Sequence, residues 1–265
     1  MKIPYYQVDA FVDGPFSGNP AGVCLLNQWA DDELLQNIAL ENQLSETAFL
    51  VGRGSSHELR WFTPEAEVDL CGHATLASAH VLFRELDCPE STLAFDSRSG
   101  RLGASRTPDG IQLDFPARSV TPVAETAALS EAIGARVVEA HQAIDDLLLV
   151  LESERAIRQL TPDLAAISAL PARGVIVTAT GENSDIVSRF FGPAVGVDED
   201  PVTGSAHCTL TPFWCERLGL SRLRARQLSA RGGTVSCVLE GDRVLLSGQC
   251  TTFLTGFIHL QRSGP

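Results

Sequence analysis

The 265-residue sequence predicts an α+β fold of two similar halves, each with a sheet around a largely apolar helix. Three observations predict this fold. Short runs of β-branched, aromatic and aliphatic residues recur between turn-forming residues. Two segments are apolar or small around nearly their whole circumference, which is typical of buried helices. The order of strand, loop and buried helix in the first half also returns in the second.

The first half begins with strand-like runs at 5–12, 22–26, 47–52, 58–63 and 93–97. Residues 32–43 place leucine and isoleucine at near-helical spacing behind two aspartates, which predicts a helix with an acidic N-terminus. A second helix is predicted from His73 to Leu86. This segment is apolar or small until Arg84, so we expect it to be buried on most of its surface.

The second half follows an Ala-rich, polar stretch after Pro116 and Pro122, which is the best candidate for a domain boundary. We therefore predict halves at 1–118 and 119–250, with a last strand in 251–265 returning to the first half. Further strands are predicted at 136–143, 146–152, 174–180 and 185–191. A helix from Ser205 to Leu218 ends at Gly219. A hairpin of two strands, 234–240 and 243–248, then turns at Gly241 and Asp242.

Two short matches indicate an internal duplication. Arg60-Trp61-Phe62 precedes Cys71-Gly72-His73-Ala74, and Arg189-Phe190-Phe191 precedes Thr203-Gly204-Ser205-Ala206. Gly204 follows Gly72 by 132 residues and Phe191 follows Phe62 by 129, so the second copy carries a three-residue insertion. The duplication predicts two buried helices with equivalent N-termini.

Charge and cysteine content exclude several classes of function. The chain has 20 basic and 33 acidic residues, a formal net charge of −13, and such a field repels nucleic acid and anionic membrane surfaces. The sequence has no signal-peptide pattern and no long apolar run, so we expect a cytoplasmic protein. Its 7 cysteines are odd in number and widely spread, which favours reduced thiols.

The two predicted helix starts are candidate binding sites for a small carboxylate. A helix N-terminus offers unpaired N–H donors and a partial positive charge, and glycine lets a ligand approach the backbone. Gly72 and Gly204 could also be simple helix caps. Their occurrence as a duplicated pair favours the binding interpretation.

Candidate acid–base residues lie near these helix starts. Glu46 precedes an apolar strand, where burial would raise its pKa and suit a general base, although a solvated strand end would look the same. Asp200 lies in an acidic loop before the second helix, a place that acids favour in any case. His73, at the start of the first helix, should resist protonation and could act as a neutral hydrogen-bond partner or proton shuttle.

Other chemistries lack their usual sequence anchors. The acidic loop around Asp200 has no calcium-loop spacing, and Cys71-x-His73 has neither a CxxC pair nor an HExxH motif beside it. A Cys71 nucleophile with a distant histidine stays open. There is no P-loop, no GxGxxG after the first strand and no GxSxG elbow. We therefore predict no metal and no cofactor.

Four segments together carry a family resemblance: VDAFVDGPFSGNPAGV, SETAFL, RWFTPEAEVDLCGHAT and FFGPAVGVDEDPVTGSAH. In this order they resemble the phenazine-biosynthesis PhzF-like family, which has the diaminopimelate epimerase fold. The resemblance implies two halves, each a mostly antiparallel sheet or barrel around a central helix, an active site between them and a homodimer. It also implies isomerisation by proton transfer without a cofactor.

By motif position, the resemblance makes Glu46 the catalytic acid/base and His73, Asp200 and Ser205 the supporting site residues. Gly72 and Gly204 would supply backbone donors to the substrate. Related epimerases use two cysteines, at positions that match Cys71 and Thr203. Because threonine cannot replace the second thiol, two-cysteine racemisation is disfavoured.

The resulting hypothesis is an isomerase that moves a proton on a small carboxylated metabolite by general acid/base catalysis. An amino-acid epimerase of the same fold is the enzymatic alternative. A metabolite-binding or interaction protein on this scaffold is the non-catalytic alternative. The sequence leaves the substrate and the origin and destination of the proton open.

Overall fold

The computed structural model describes residues 1–260, which form two compact units. The N-terminal unit contains Met1–Val12, Asn19–Asp114 and the described residues from Ser247 onward. The C-terminal unit contains Asp13–Gly18 and Phe115–Leu246. Of the segment 251–265, in which a returning strand is predicted, residues 261–265 lie outside the described residues.

The short segment Asp13–Gly18 differs from the predicted division, which kept it in the first half. It belongs to the C-terminal unit, where one main-chain bond and one side-chain bond hold Gly18. The N–H of Gly18 donates to the carbonyl of Gly232 over 2.7 Å, and Nε of Arg231 donates to the carbonyl of Gly18 over 2.8 Å. Nothing in the local sequence signals these bonds, because both partners lie more than two hundred residues away.

The first part of the chain forms nine strands and two α-helices. They are β1 (Lys2–Ala10), β2 (Asn19–Leu26), α1 (Asp32–Asn42), β3 (Glu46–Arg53), β4 (Ser56–Phe62), β5 (Glu67–Val68), α2 (Gly72–His80), β6 (Thr92–Ser97), β7 (Gly100–Thr107), β8 (Gly110–Pro116) and β9 (Thr121–Val123).

The remainder of the described chain forms eight strands and four α-helices. They are α3 (Ala127–Ile133), β10 (Glu139–Gln142), β11 (Asp146–Val150), α4 (Glu154–Arg158), α5 (Leu164–Ser168), β12 (Gly174–Thr180), β13 (Ile186–Phe191), α6 (Gly204–Leu218), β14 (Arg222–Gln227), β15 (Gly233–Glu240), β16 (Arg243–Gly248) and β17 (Cys250–His259).

Strand pairing repeats between the two units in the same order. In the N-terminal unit β1–β2 is antiparallel, β2–β3 parallel, β3–β4 antiparallel, β4–β6 parallel and β6–β7 antiparallel. In the C-terminal unit β10–β11, β11–β12, β12–β13, β13–β14 and β14–β15 follow the same alternation. An extra strand also pairs antiparallel with the first strand of each unit, β17 with β1 and β9 with β10. The two similar halves predicted from the sequence are therefore present as a repeated topology.

Each unit surrounds one buried helix. In α2 every residue from His73 to Ala79 is buried, and the helix packs against β1, β2 and β3. In α6 most residues are buried, and the helix packs against β14 and β15. These helices begin at Gly72 and Gly204, and Gly219 ends α6 in the left-handed conformation with φ +67°, as predicted.

The segment after α2 corrects one expectation. His73–Leu86 is predicted as a single α-helix, but the α-helix ends at His80 and a π-helical turn follows at Val81–Glu85. The N–H of Leu86 bonds to the carbonyl of Val81 over 3.1 Å, five residues back. Apolar patterning does not distinguish this wider turn from an α-helix.

Other elements are absent from the sequence-based prediction or differ in length. The hairpin β7–β8 turns at Pro108 and Asp109, directly before Gly110, and this Pro-Asp-Gly run is a usable signal. The predicted boundary region contains β9 and α3, and the strand predicted at 136–143 covers only Glu139–Gln142. Within residues 1–260, no helix has both the length and the apolar character needed to cross a membrane.

Candidate acid–base sites

Glu46 is the first residue of β3, and its position follows from the strand that it begins. The next four residues of β3 are buried, so the strand enters the core at once. The parallel partner β2 places Ala21 opposite Glu46. The Glu46 side chain is 19% exposed, so its carboxylate is mostly shielded and still reachable from solvent.

His73 is the second residue of α2 and meets Glu46 directly. Its Nε2 lies 3.2 Å from Oε2 of Glu46, and the imidazole is 5% exposed. Cys71 is the N-cap of the helix and has extended backbone geometry. The helix start therefore places the imidazole against the carboxylate at the beginning of β3.

The other edge of the His73 ring faces two hydrogen-bond donors. Nδ1 of His73 lies 3.2 Å from Nδ2 of Asn19 and 3.5 Å from Sγ of Cys71. Ser45 Oγ donates to Oδ1 of Asn19 over 3.5 Å, which leaves the amide NH₂ of Asn19 for the ring. Since an amide NH₂ and a thiol both donate here, Nδ1 accepts and the ring proton sits on Nε2, toward Glu46.

Burial keeps His73 neutral. Loss of solvent around the ring lowers the pKa of His73 to about 3. At neutral pH the residue is therefore an uncharged imidazole whose Nε2 lies close to a carboxylate without hydrogen-bond geometry. A neutral ring in this place forms no strong ion pair with the carboxylate.

The same three side chains have a composition that suits a metal, but their arrangement opposes one. Potential ligand atoms of Glu46, Cys71 and His73 all lie within 4.8 Å of one another. Glu46 approaches Nε2 of the imidazole, whereas Cys71 approaches Nδ1. One ion binds an imidazole through a single nitrogen, so it could not use both of these contacts to the ring, and the cluster fits proton transfer better.

In the C-terminal unit, Asp200 lies in a hydrogen-bonded turn before α6. The hydroxyl of Thr203 donates to Oδ2 of Asp200 over 2.5 Å. Gln227 holds this turn from β14: its Oε1 accepts from the N–H of Thr203 over 2.9 Å, and its Nε2 donates to the carbonyl of Asp200 over 2.7 Å. The fully buried Gln227 thus fixes the backbone that carries Asp200.

Ser205, the second residue of α6, has a different set of partners. Its Oγ accepts from Nη2 of Arg173 over 3.1 Å. Arg173 is itself held by the buried carboxylate of Asp146 through two bonds, of 2.9 Å from Nε and 2.6 Å from Nη2. Because Ser205 accepts from Arg173, its own hydroxyl hydrogen is available to a ligand.

Each of the two helix starts also has a side-chain hydrogen bond to the carbonyl of its N-cap residue. Oγ1 of Thr75 donates to the carbonyl of Cys71 over 2.6 Å, and Nδ1 of His207 lies 2.8 Å from the carbonyl of Thr203. In both cases the side chain belongs to the residue four positions after the N-cap. Burial lowers the pKa of His207 to about 4, so this ring is neutral and donates through Nδ1–H.

Sequence reasoning found part of this arrangement. The structure brings Glu46 and His73 together, and it places Gly72 and Gly204 at the two helix starts. It gives Asp200 and Ser205 different partners within the C-terminal unit. The supporting residues that sequence reasoning missed are Asn19, Asp146, Arg173 and Gln227. Asp146 starts the apolar strand β11 and was a usable signal, because a buried carboxylate needs a partner.

Comparisons of the sequence and of the fold with known proteins point to one protein family. The family model for phenazine biosynthesis-like proteins, PhzC-PhzF, matches residues 8–256. An uncharacterized isomerase of Pseudomonas aeruginosa is 52% identical over 98% of this chain and all of the relative, and a second one from that organism is 54% identical with the same coverage. A crystal structure of a PhzF-family protein from Enterococcus faecalis superposes with a TM-score of 0.95 at 46% identity, covering 98% of this chain and 100% of that one.

Proposed function

Because the chain belongs to the phenazine biosynthesis-like PhzC-PhzF family, we propose that it is an isomerase that moves a proton on a small carboxylated metabolite. Its relatives named as isomerases support the reaction class. The reaction would use general acid/base catalysis by side chains and no cofactor.

The contact between Glu46 and His73 is the observation that carries this proposal. A carboxylate that is mostly shielded but reachable suits a base for an activated C–H bond. In the first step, Glu46 takes the proton and the electron pair of the C–H bond stays on the substrate. In the second step, the protonated Glu46 returns the proton to a different carbon of the same molecule, so atoms and charge balance.

His73 would control the charge around this base. Its neutral ring brings Nε2 to 3.2 Å from the carboxylate, and a small rotation of either side chain would let Nε2–H donate to Glu46 and stabilise negative charge as it develops. A positively charged imidazole at the same place would weaken Glu46 as a base, because a nearby cation favours the ionised carboxylate. The low pKa of His73 therefore supports the proposed role of Glu46.

Binding of the substrate carboxylate is proposed for the helix starts. The backbone N–H groups at Gly72 and Gly204 are oriented to bind an anion, and the Ser205 hydroxyl can add a bond while Arg173 holds it. Asp200 is proposed as a second acid–base residue. Its bond to Thr203 fixes one carboxylate oxygen and supports a defined orientation.

An epimerase reaction is the second enzymatic candidate, and one residue argues against its two-thiol form. Thr203 is the N-cap of α6 where Cys71 is the N-cap of α2, and a threonine hydroxyl bonded to Asp200 cannot act as a thiol base. An epimerase on this scaffold would need Glu46 and another acid instead.

The test is a substrate screen followed by isotope exchange. Cyclic and unsaturated carboxylic acids are screened by thermal shift, and each binder is incubated with the protein in D₂O and followed by ¹H NMR. The expected result is a constitutional isomer with deuterium at the carbon that receives the proton, except where Glu46 returns the original proton directly. Deuterium exchange at one stereocentre with inversion would support the epimerase instead, and binders that all stay unchanged would support a non-catalytic protein.

A further inference from the structure

A cavity lies in the N-terminal unit, and Glu46 is not among the residues that line it. It has a volume of about 240 Å³, and its polar walls come from the end of α2, the π-helical turn, the β7–β8 hairpin and the start of β17. His80 lines it, whereas the Glu46 contact is made by His73, seven residues earlier on the same helix. At 1.5 Å of rise per residue these two positions are about 10 Å apart along the axis.

The charge of this cavity is opposite to that of the chain. Among its lining residues the cations are Arg84 and Arg106, and no lining residue is a carboxylate. The whole chain carries a formal net charge of −13. Two guanidinium groups without an acid in the lining of a small polar cavity give a local field that attracts anions.

Arg106 is held in a fixed orientation with donors to spare. Its Nη2 donates to the carbonyls of Phe83 and Cys88 over 2.9 and 2.7 Å, and its guanidinium lies over the Phe83 ring at 4.3 Å. Nη2 alone makes both bonds, and a guanidinium carries three further N–H donors on Nε and Nη1. A fixed planar donor of this kind suits an oxyanion, which it can bind through two parallel bonds.

His80, another lining residue, is held by a second set of bonds. Thr252 donates its hydroxyl to Oε1 of Glu85 over 2.7 Å and lies 2.9 Å from Nε2 of His80. Since the hydroxyl hydrogen is used for Glu85, Nε2 of His80 donates to Thr252. Glu85, the one acid of the π-helical turn, is thereby bonded to β17 and is not among the lining residues.

The floor of the cavity is closed by backbone contact. A Cβ at Gly110 would lie 2.2 Å from the carbonyl oxygen of Gly248, so only glycine fits there, and φ of +117° at Gly110 has the same requirement. The π-helical turn forms the adjoining edge, and such turns frequently occur at functional sites. The shape of the cavity therefore depends on Gly110 and on the π-helical turn.

We propose that this cavity binds a small oxyanion, the carboxylate or phosphate group of a metabolite, through Arg84 and Arg106. The site is independent of the proposed isomerase reaction. It has room for an ion or a short metabolite. The two sources of oxyanion share the same guanidinium chemistry, and titration separates them.

The test uses the full chain with inorganic phosphate and, separately, succinate, each titrated by calorimetry at low ionic strength. We expect saturable binding of one anion per chain, with the tighter of the two identifying the ligand class. Arg84→Gln removes a cation whose residue is exposed, so folding is unaffected, and it should weaken binding at least tenfold. Arg101→Gln, an exposed residue of β7 outside the lining, is the matched control and should bind as the unmodified protein does.

NMR of a lining residue tests whether the anion binds in this cavity. The ¹H resonances of the His80 ring, assigned by their loss in His80→Gln, should shift on titration, while those of the buried His207 ring should not. Saturable binding that is unaffected by Arg84→Gln would overturn the proposal, and so would the absence of saturable binding for both anions.

Discussion

Nε2 of His73 and Oε2 of Glu46 lie 3.2 Å apart, in a close contact that does not have hydrogen-bond geometry. The amide NH₂ of Asn19 faces the other ring nitrogen, and burial removes the charge of the ring. Glu46 therefore has a neutral imidazole beside it and not a cation, which suits the proposed proton abstraction.

Glu46→Gln should abolish most of the proton transfer. The amide keeps the shape of the side chain but cannot accept a proton from carbon, so turnover should fall by about 10²–10⁴-fold. Unfolding and ligand affinity should change little. Glu41→Gln, in the exposed part of α1, is the control and should keep full activity. Turnover and deuterium incorporation are measured on both, and near-normal turnover in Glu46→Gln would move the base to another residue, with Asp200 the next candidate.

Asn19→Asp should reverse the tautomer of His73. A carboxylate at this position accepts a hydrogen bond, so it favours a proton on Nδ1 and raises the pKa of the ring. In ¹⁵N NMR spectra, His73 should carry its proton on Nε2 in the unmodified protein and on Nδ1, or on both nitrogens, in the variant. The exposed Asn27→Asp should change neither the spectrum nor the activity. A proton on Nδ1 in the unmodified protein would contradict the proposed orientation.

Ser205→Ala should weaken binding more than it slows the reaction. The lost hydroxyl would remove one hydrogen bond to the substrate carboxylate, which is worth about 0.5–3 kcal/mol in binding free energy. The change should therefore appear in the dissociation constant, with kcat reduced less. Ser168→Ala, at the exposed end of α5, serves as the control. A loss confined to kcat would instead assign Ser205 to the chemical step.

Cys71→Ala should leave most of the activity, and chelators should leave all of it. The Cys71 thiol donates to a ring nitrogen that Asn19 also supports, so its removal should cost less than tenfold in turnover. Turnover is measured for the variant and for the unmodified protein treated with a chelator. Activity that metal restores after chelation would reject the cofactor-free mechanism, and complete loss in Cys71→Ala would favour thiol chemistry.

Stability should fall as the pH drops below about 6.5. His73 and His207 have ordinary pKa values of 6.5 that burial lowers to about 3 and about 4 in the folded protein. Between these values the unfolded chain binds more protons than the folded one, so the free energy of unfolding decreases as the pH falls. Urea unfolding at pH 7, 6 and 5 measures the slope.

Two histidine variants test whether the buried imidazoles cause this pH dependence of the free energy of unfolding. His207→Gln can still donate to the Thr203 carbonyl, so it should flatten the pH dependence without losing that bond. The exposed His259→Gln should keep the original slope. An unchanged slope in His207→Gln would mean that folding does not lower the pKa of this imidazole, which would contradict the prediction.

Local patterns were sufficient for the central helices and several strands. The apolar run Gly174–Thr180 forms a strand with the predicted bounds, and α6 ends at Gly219 as predicted. The duplication also predicted the equivalent helix starts at Gly72 and Gly204. These features depend on residues close in sequence, or on a repeat that is visible in the sequence itself.

The remainder depends on contacts between distant residues. Asn19 bonds to His73 across 54 positions, and Gln227 bonds to Thr203 across 24, so no local pattern reveals either pair. The π-helical turn after His80 inserts one residue into the repeat of an apolar helix, which composition does not show. The turn at Pro108 and Asp109 is different, because its Pro-Asp-Gly signal was available in the sequence.

The pairing of β17 with β1 affects how the protein is made. β1 is synthesised before the other described strands, yet its partner Cys250–His259 is synthesised after all of them. The C-terminal unit, although made second, obtains its extra strand β9 directly before β10. Until β17 has been synthesised, the β17 side of β1 therefore stays unpaired in the nascent chain, exposed to aggregation and to chaperones. The unit that carries Glu46 is started first and finished last.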